Sequence, residues 1–339
     1  WRFPAQFGGI SAEYRAVREF VGILDLSHRG LLQFTGPDRL SFLQGMLSND
    51  LRGLQTFDGR YAALLTQQGK AVADVRVLCA MNSFYLDFWE PLQEKILSHL
   101  NRYLIADEVE IADRTAEYAT LSLQGPQSAA LLRALAGHVD LPQRPAGHAM
   151  VTIAGAAVCA VVENRGGGSG FDLIVPKSDI QEIAGRLDQA GQAYGMIWVG
   201  DTAQQLLRIE AGIPLYGVDF DENNLLLEVG LDQAVSFNKG CYLGQEVVER
   251  IRSRGHVNKK LCGLLLESQS PVQAGAAIHK DDKPVGVVTS SVLSPSLGRA
   301  IALGYVAKEF WGPGTGLVIR SGTEAHAATV TALPFVRFS

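Results

Sequence analysis

The sequence predicts an α+β fold, and three observations lead there. Strand-like and helix-like segments mix without regular alternation, which disfavours a doubly wound parallel sheet. A strand, a Gly-Pro turn and a helix occur twice, around Gly36-Pro37 and Gly125-Pro126. From about Leu261 onward, short strands alternate with turns at Gly275, Gly286, Pro295, Gly298, Pro313, Gly316 and Gly322. That spacing suggests a small β-barrel or sandwich.

Each element has a local reason. Tyr14–Leu26 reads as a helix running into an extended stretch. Leu31–Phe34 is strand-like, and Gly36-Pro37-Asp38 opens a helix because Pro suits the first turn and Asp complements the positive end. Leu40, Leu43 and Leu47 follow at helical spacing, so one face is expected to be buried. Tyr61–Leu65 and Ala71–Cys79 flank Gln67-Gln68-Gly69 as two strands, and Phe84–Phe88 makes a third. Pro91–Leu104 is amphipathic and helical. Leu121–Leu123, Gly125-Pro126 and Gln127–Leu135 repeat the first unit. Val151–Ile153 and Ala157–Val162 are strands, Arg165–Gly170 is a turn, Phe171–Val175 is a strand and Pro176–Gly191 a helix. A domain boundary falls near residue 256, giving regions 1–255 and 256–339.

The 339 residues fit two or three domains at ~150 residues each. A hydrophobic share of 47% with a net charge of -5 excludes a disordered chain. No apolar run reaches the roughly 18 residues of a transmembrane helix. A pI near 5.8 argues against an overall nucleic-acid binder. The four cysteines, Cys79, Cys159, Cys241 and Cys262, lie far apart without a C-x-x-C pair, so neither a zinc site nor a disulfide framework is expected. No basic, apolar leader precedes the first domain, and Trp1 is not an initiator residue, so the natural start is expected to lie upstream. A reducing, cytoplasmic setting is the default expectation.

The strongest motif is Lys239-Gly240-Cys241-Tyr242-Leu243-Gly244-Gln245-Glu246. A helix beginning near Leu243 would expose Cys241 to unpaired N–H groups and the positive end of the dipole, favouring thiolate. A buried cysteine that acts as a small hydrophobe is the competing reading, and the residues leave both open. Arg250, Arg252, Arg254, His256, Lys259 and Lys260 form a basic cluster without interleaved aromatics, which reads as a solvated face before it reads as an RNA contact. Gly166-Gly167-Gly168-Ser169-Gly170 lacks the following helix that a phosphate loop needs, so a hairpin turn is expected. Asp25, Ser27 and His28 lack a nucleophile elbow and read as structural. No two of the seven histidines have metal-ligand spacing, and no metal is expected. Asp219, Asp221 and Glu222 read as a solvated turn rather than a calcium loop. Trp89 and Trp198 read as core.

The octapeptide, with Arg254-Gly255 and Lys259-Lys260 downstream, resembles the K-G-C-Y-x-G-Q-E motif of the YgfZ family of folate-binding proteins. That family is similar to the aminomethyltransferase of the glycine cleavage system, the T-protein. Gly22–His28, Leu207–Gly217 and Ser294–Val306 resemble the N-terminal, central and C-terminal segments of the wider superfamily, so the likeness spans nearly the whole chain. It implies a three-lobed GcvT/YgfZ-like ring, with two related α/β lobes, a C-terminal β-barrel and a central tetrahydrofolate site. Tyr61 matches a tyrosine beside folate. Asp74 matches one member of the T-protein's catalytic Asp-Asp pair, whose other member is Ala73 here. Asp172 stands where a glutamate holds the pterin ring, and Arg337 matches a terminal arginine near folate. An arginine before the central segment is replaced by Gln204, and a Y-T-G-E stretch by Arg165-Gly166-Gly167-Gly168.

Three functions follow as expectations. The first is a tetrahydrofolate-binding protein that supports iron–sulfur cluster assembly or repair in client enzymes. Cys241 would be its functional thiol at the edge of the folate cavity, with Lys239 and Gln245 as cofactor-binding residues beside it. The second is a tetrahydrofolate-dependent aminomethyltransferase, with Asp74 managing protons at the folate nitrogens. The third, weaker, is a protein or RNA interaction module.

Overall fold

The computed structural model describes residues 4–137, 139–166, 168–255 and 257–337. Trp1, Gly167 and His256, singled out above, lie outside the described residues, as does the side chain of Arg254. The chain forms two compact units. One comprises residues 1–66, 72–204 and 233–243, and the other 67–71, 205–232 and 244–339. Ahead of residue 256, the second unit also takes in residues 67–71, 205–232 and 244–255.

The first unit opens with α1 (Ile10–Glu19), β1 (Val21–Asp25), β2 (Arg29–Thr35), α2 (Arg39–Met46), β3 (Gly59–Leu65), β4 (Ala71–Cys79), β5 (Phe84–Trp89), α3 (Gln93–Asn101) and β6 (Glu110–Asp113). It continues with β7 (Tyr118–Gln124), α4 (Ser128–Ala136), β8 (His148–Ile153), β9 (Ala156–Val162), β10 (Gly170–Pro176), α5 (Ile180–Gly191) and β11 (Met196–Trp198). These strands build two sheets, β3-β4-β5-β2-β6 and β11-β1-β7-β10-β9-β8. The described pairings are antiparallel apart from β1 with β11, as the irregular order of elements predicts. Helices α4 and α5 cover the six-stranded sheet, and Leu131, Leu132, Ile183 and Leu187 meet Leu123, Phe171 and Leu173 there. Leu31 and Leu78 from one sheet pack on Val161 and Ile174 from the other, so the two share an apolar seam.

The repeated strand–turn–helix unit is real, and its glycines explain it. Gly36 and Gly125 follow β2 and β7 with φ of 97° and 123°, where a side chain would be strained. A Cβ on Gly36 would also run into the Glu108 carbonyl, and one on Gly125 into the Phe20 carbonyl. Asp38 does not cap α2 with its side chain; Oδ2 instead accepts the Glu108 N–H at 2.9 Å. The buried face of α2 is Phe42, Leu43 and Met46, followed by Leu47, while Leu40 is exposed. An eight-residue helix that starts at Arg39 turns Leu40 away from the core.

The second unit carries most of α6 (Asp201–Glu210), then α7 (Leu226–Val229) and α8 (Gln245–Arg254). Strands β12 (Lys259–Leu266), β13 (Ala277–Lys280), β14 (Lys283–Ser294), β15 (Arg299–Ala307), β16 (Gly316–Ser321) and β17 (Glu324–Thr331) follow. They close a barrel in the order β12-β15-β14-β13-β16-β17. Its interior is aliphatic, with Leu264, Ile278, Ala302, Val306 and Ile319 fully buried.

The turn after Gly217 departs from the solvated expectation. Asp219 is buried and accepts hydrogen bonds from Arg208 Nη1 (2.6 Å), Thr289 Oγ1 (2.6 Å), Ser290 Oγ (2.7 Å) and the Leu215 N–H (3.0 Å). Neighbouring strand residues normally face opposite sides. An irregularity in the pairing of β14 between Val288 and Ser290 brings both hydroxyls to one carboxylate. Asp219 thereby joins α6 to the barrel wall.

No helix among the described residues is long and apolar enough to cross a membrane. Gly36→Ala is expected to cost about 1–3 kcal/mol, because it adds strain at positive φ and a clash with backbone. Urea unfolding of the variant beside the parent protein measures it.

Candidate functional site

The site begins on β3 and β4. Strand β4 is buried at every position but Asp74, which is half-buried. Tyr61 of β3 donates from Oη to Asp74 Oδ2 at 2.9 Å. Burial and the Asp74 charge hold the Tyr61 phenol well above its ordinary pKa, so it stays protonated and donates. Asn49 Nδ2 fixes the Tyr61 carbonyl at 2.8 Å.

Two residues beyond Asp74, Arg76 shares its face of the strand and is only 3% exposed. Its guanidinium pairs with Asp87 of β5, with Glu163 at 2.9 Å and with Asp172 of β10 at 2.9 Å. Arg29 Nε adds a second cation on Asp87 at 2.6 Å. Arg165 forks onto Asp172, with Nε at 3.0 Å from Oδ1 and Nη2 at 2.5 Å from Oδ2. Three arginines and three carboxylates thus balance in charge. Burial alone would raise the Asp172 carboxyl, but Arg165 and Arg76 hold it well below the usual carboxylate range. Asp87 is lowered in the same way by Arg29 and Arg76 against the effect of burial.

The glycine-rich stretch is a hairpin turn that aims Arg165. Asn164 Oδ1 accepts the N–H groups of Gly166 (3.1 Å) and Gly168 (2.9 Å). Gln124 accepts the Arg165 N–H at 2.9 Å and donates to the Glu163 carbonyl at 3.0 Å. A side chain on Gly170 would displace the Gln124 amide.

The Lys239–Leu243 segment is bound to the end of α2. Lys239 Nζ donates to the carbonyls of Gln44 (2.8 Å), Leu47 (2.7 Å) and Asn49 (2.8 Å). The Leu243 N–H donates to the Gly45 carbonyl at 2.9 Å. An ammonium answering the last carbonyls of a helix is favoured by the dipole. Burial lowers the Lys239 pKa to about 8, so its three N–H groups are committed to protein oxygens at neutral pH.

Cys241 is exposed. The expected helix start near Leu243 is shifted. Gly244 has a left-handed φ of 85°, α8 begins at Gln245, and Cys241 precedes its first turn. Cys241 therefore lies outside the turn in which the helix dipole acts. Burial pushes the thiols of Cys159 and Cys262 up to about 12 and about 11.

The structure brings Tyr61 and Asp74 into contact, while Asp172 pairs with Arg76, two residues along β4 from Asp74. Gln245 is half-buried at the start of α8, and Arg337 is exposed beyond the barrel. Their assignments rest on sequence resemblance. Of the basic run, Arg250 pairs with Glu246 and Arg252 with Glu249, consistent with a solvated helix face. In the Asp25–His28 turn, Asp25 Oδ1 accepts the Ser27 N–H at 2.9 Å and the His28 carbonyl accepts the Glu90 N–H. Trp198 sits at the rim of the core and donates to Asp188 Oδ1 at 2.8 Å. Among the described residues no group of His, Cys, Asp and Glu is arranged to hold a metal ion.

Sequence reasoning missed Arg76, Asp87, Glu163 and Arg29. One signal was present: Asp74 and Arg76 put two charges on one face of an otherwise apolar strand.

Asp172→Asn is expected to destabilise the fold by about 3–5 kcal/mol, since it strands buried guanidinium charge. The carboxylate contribution is complete above about pH 4 and is lost as the pH falls through the lowered folded values. Melting temperature followed from pH 6 downward should drop steeply in the parent protein and less steeply in the variant.

Two family models match the chain. The GCVT N-terminal domain covers residues 1–239 and the glycine cleavage T-protein C-terminal barrel domain covers residues 259–337. An aminomethyltransferase of Rubrobacter xylanophilus is 35% identical over 99% of this chain and 89% of its own length. One of a Nostoc species is 32% identical over 100% of this chain and 91% of its own. The glycine cleavage system aminomethyltransferase T from Bartonella henselae superposes with a TM-score of 0.90 at 26% identity, over 100% of this chain and 93% of that one. With both models matched in order and relatives aligned along its whole length, the chain belongs to the glycine cleavage T-protein family.

Proposed function

We propose that the protein binds tetrahydrofolate and catalyses aminomethyl transfer to it, the activity for which its relatives are named. The observation that carries this reading is the Tyr61–Asp74 contact. The donor set suits a polar heterocycle: a half-buried carboxylate, a tyrosine, and the buried Arg76 Nε, which has no acceptor among the described residues.

Tetrahydrofolate would supply the ring nitrogens that take the one-carbon unit. Asp74 would hold or accept a proton at the reacting nitrogen, the role of a general base placed within hydrogen-bond reach. Tyr61 binds Oδ2 of Asp74 and leaves Oδ1 for the ligand, while its raised pKa keeps it a donor. Arg76, on the strand face of Asp74, and Arg165, which shares Asp172 with it, supply the positive charge that Gln204 does not. Ala73 leaves Asp74 as the carboxylate of its strand segment, so the proton chemistry rests on one residue.

Asp74→Asn is expected to lower transfer from an aminomethylated lipoyl carrier by roughly a hundred- to ten-thousand-fold, with tetrahydrofolate still bound. Formation of methylene-tetrahydrofolate against a carrier of proven competence measures the first, and calorimetry the second. A parent protein that makes no product above background removes the transferase reading.

Cys241 favours a second reading, a folate-binding protein of the YgfZ type that supports iron–sulfur enzymes. It is the exposed thiol of the four, carried by a segment that Lys239 clamps to α2. Cys241→Ala is expected to abolish rescue of iron–sulfur enzyme activity in a deletion strain while the melting temperature is unchanged. Full rescue would remove this role.

A further inference from the structure

The three carboxylates of the ion network differ in what they have left to offer. Asp87 is held on Oδ1 by Arg29 and on Oδ2 by Arg76. Asp172 receives Arg165 on both oxygens and Arg76 on one, and its side chain is 0% exposed. Glu163 gives one oxygen, Oε2, to Arg76, and its side chain is 31% exposed. Its backbone is fixed from both sides: the N–H donates to the Gly170 carbonyl at 3.1 Å, and its carbonyl accepts from Gln124 Nε2 at 3.0 Å. Glu163 is therefore a positioned carboxylate with a free oxygen and an open side.

We infer that Glu163, rather than Asp172, is the carboxylate that meets the ligand, accepting paired N–H groups from an amino-substituted pyrimidinone edge. This rests on the tetrahydrofolate reading above, since the pterin ring carries such an edge. For Asp172 to take that role, a fully buried carboxylate would have to release guanidinium donors, which strands charge at high cost. Glu163 loses nothing by accepting, because a carboxylate has about four lone-pair sites and Arg76 occupies one of them. Arg76 keeps it ionised and in place, which is what strong charge-assisted recognition needs. Asp172 is left as the residue that positions Arg76 and Arg165.

The test is anaerobic calorimetry of the full chain with tetrahydrofolate and with an analogue lacking the 2-amino group. The parent protein is expected to prefer tetrahydrofolate by about tenfold or more. Glu163→Gln should weaken tetrahydrofolate by a similar factor and erase the preference, with the melting temperature nearly unchanged. Asp172→Asn should lower the melting temperature yet keep the preference below its unfolding range. A Glu163→Gln protein that binds tetrahydrofolate as the parent does, or that still distinguishes the two compounds, overturns the inference and leaves the tetrahydrofolate reading intact. A folded parent protein that binds neither compound overturns both.

Discussion

A buried guanidinium is tolerable only where carboxylates surround it, and Arg76 draws its partners from both sheets of the first unit. Asp87 comes from the neighbouring strand β5, and Asp172 from β10 across the seam. Glu163 follows β9. Apolar contacts between Leu31, Leu78, Val161 and Ile174 bring the sheets together without fixing their mutual alignment. Hydrophobic attraction has no preferred direction. The forked geometry of arginine with carboxylate does, so the network sets register where packing alone would not.

The candidate chemistry depends on that alignment. Asp74 and Arg76 are two residues apart on one strand face, so whatever fixes the guanidinium also fixes the carboxylate beside it. Tyr61 is held from the other side through Asn49, whose amide also binds the Gln233 carbonyl at 2.9 Å. Asn49 thus ties Tyr61 to the segment that begins at Gln233, and Lys239 continues the attachment to α2. A motif read as a place of chemistry is, at its lysine, a fastening.

Local structure was legible wherever it had a local cause. The twin Gly-Pro turns, the glycine-rich hairpin and the punctuated barrel strands follow from φ preferences and spacing. The pairing of Arg76 with Asp172 was not legible, because it joins distant strands and leaves no periodic trace. Asp219 looked solvated because its neighbours are polar; its partners Thr289 and Ser290 reach it only through an irregular strand pairing. The start of α8 was misplaced because Gly244 takes a left-handed conformation that ends the preceding turn. At Asp172 resemblance implies a ligand-holding residue, and the structure shows a buried carboxylate paired with two arginines. Alignment locates a side chain and says nothing of what it already holds.

The clamp at Lys239 also bears on how the protein meets chemical reagents. Most surface amines are charged at mildly alkaline pH and react slowly with acylating agents. Burial lowers the Lys239 pKa to about 8, yet the amine is 5% exposed and enclosed by carbonyls. It can be acylated only when the end of α2 and the Lys239–Leu243 segment part. The rate at which a small acylating reagent marks this one lysine is therefore a clock for local opening of the segment that carries Cys241, independent of any activity.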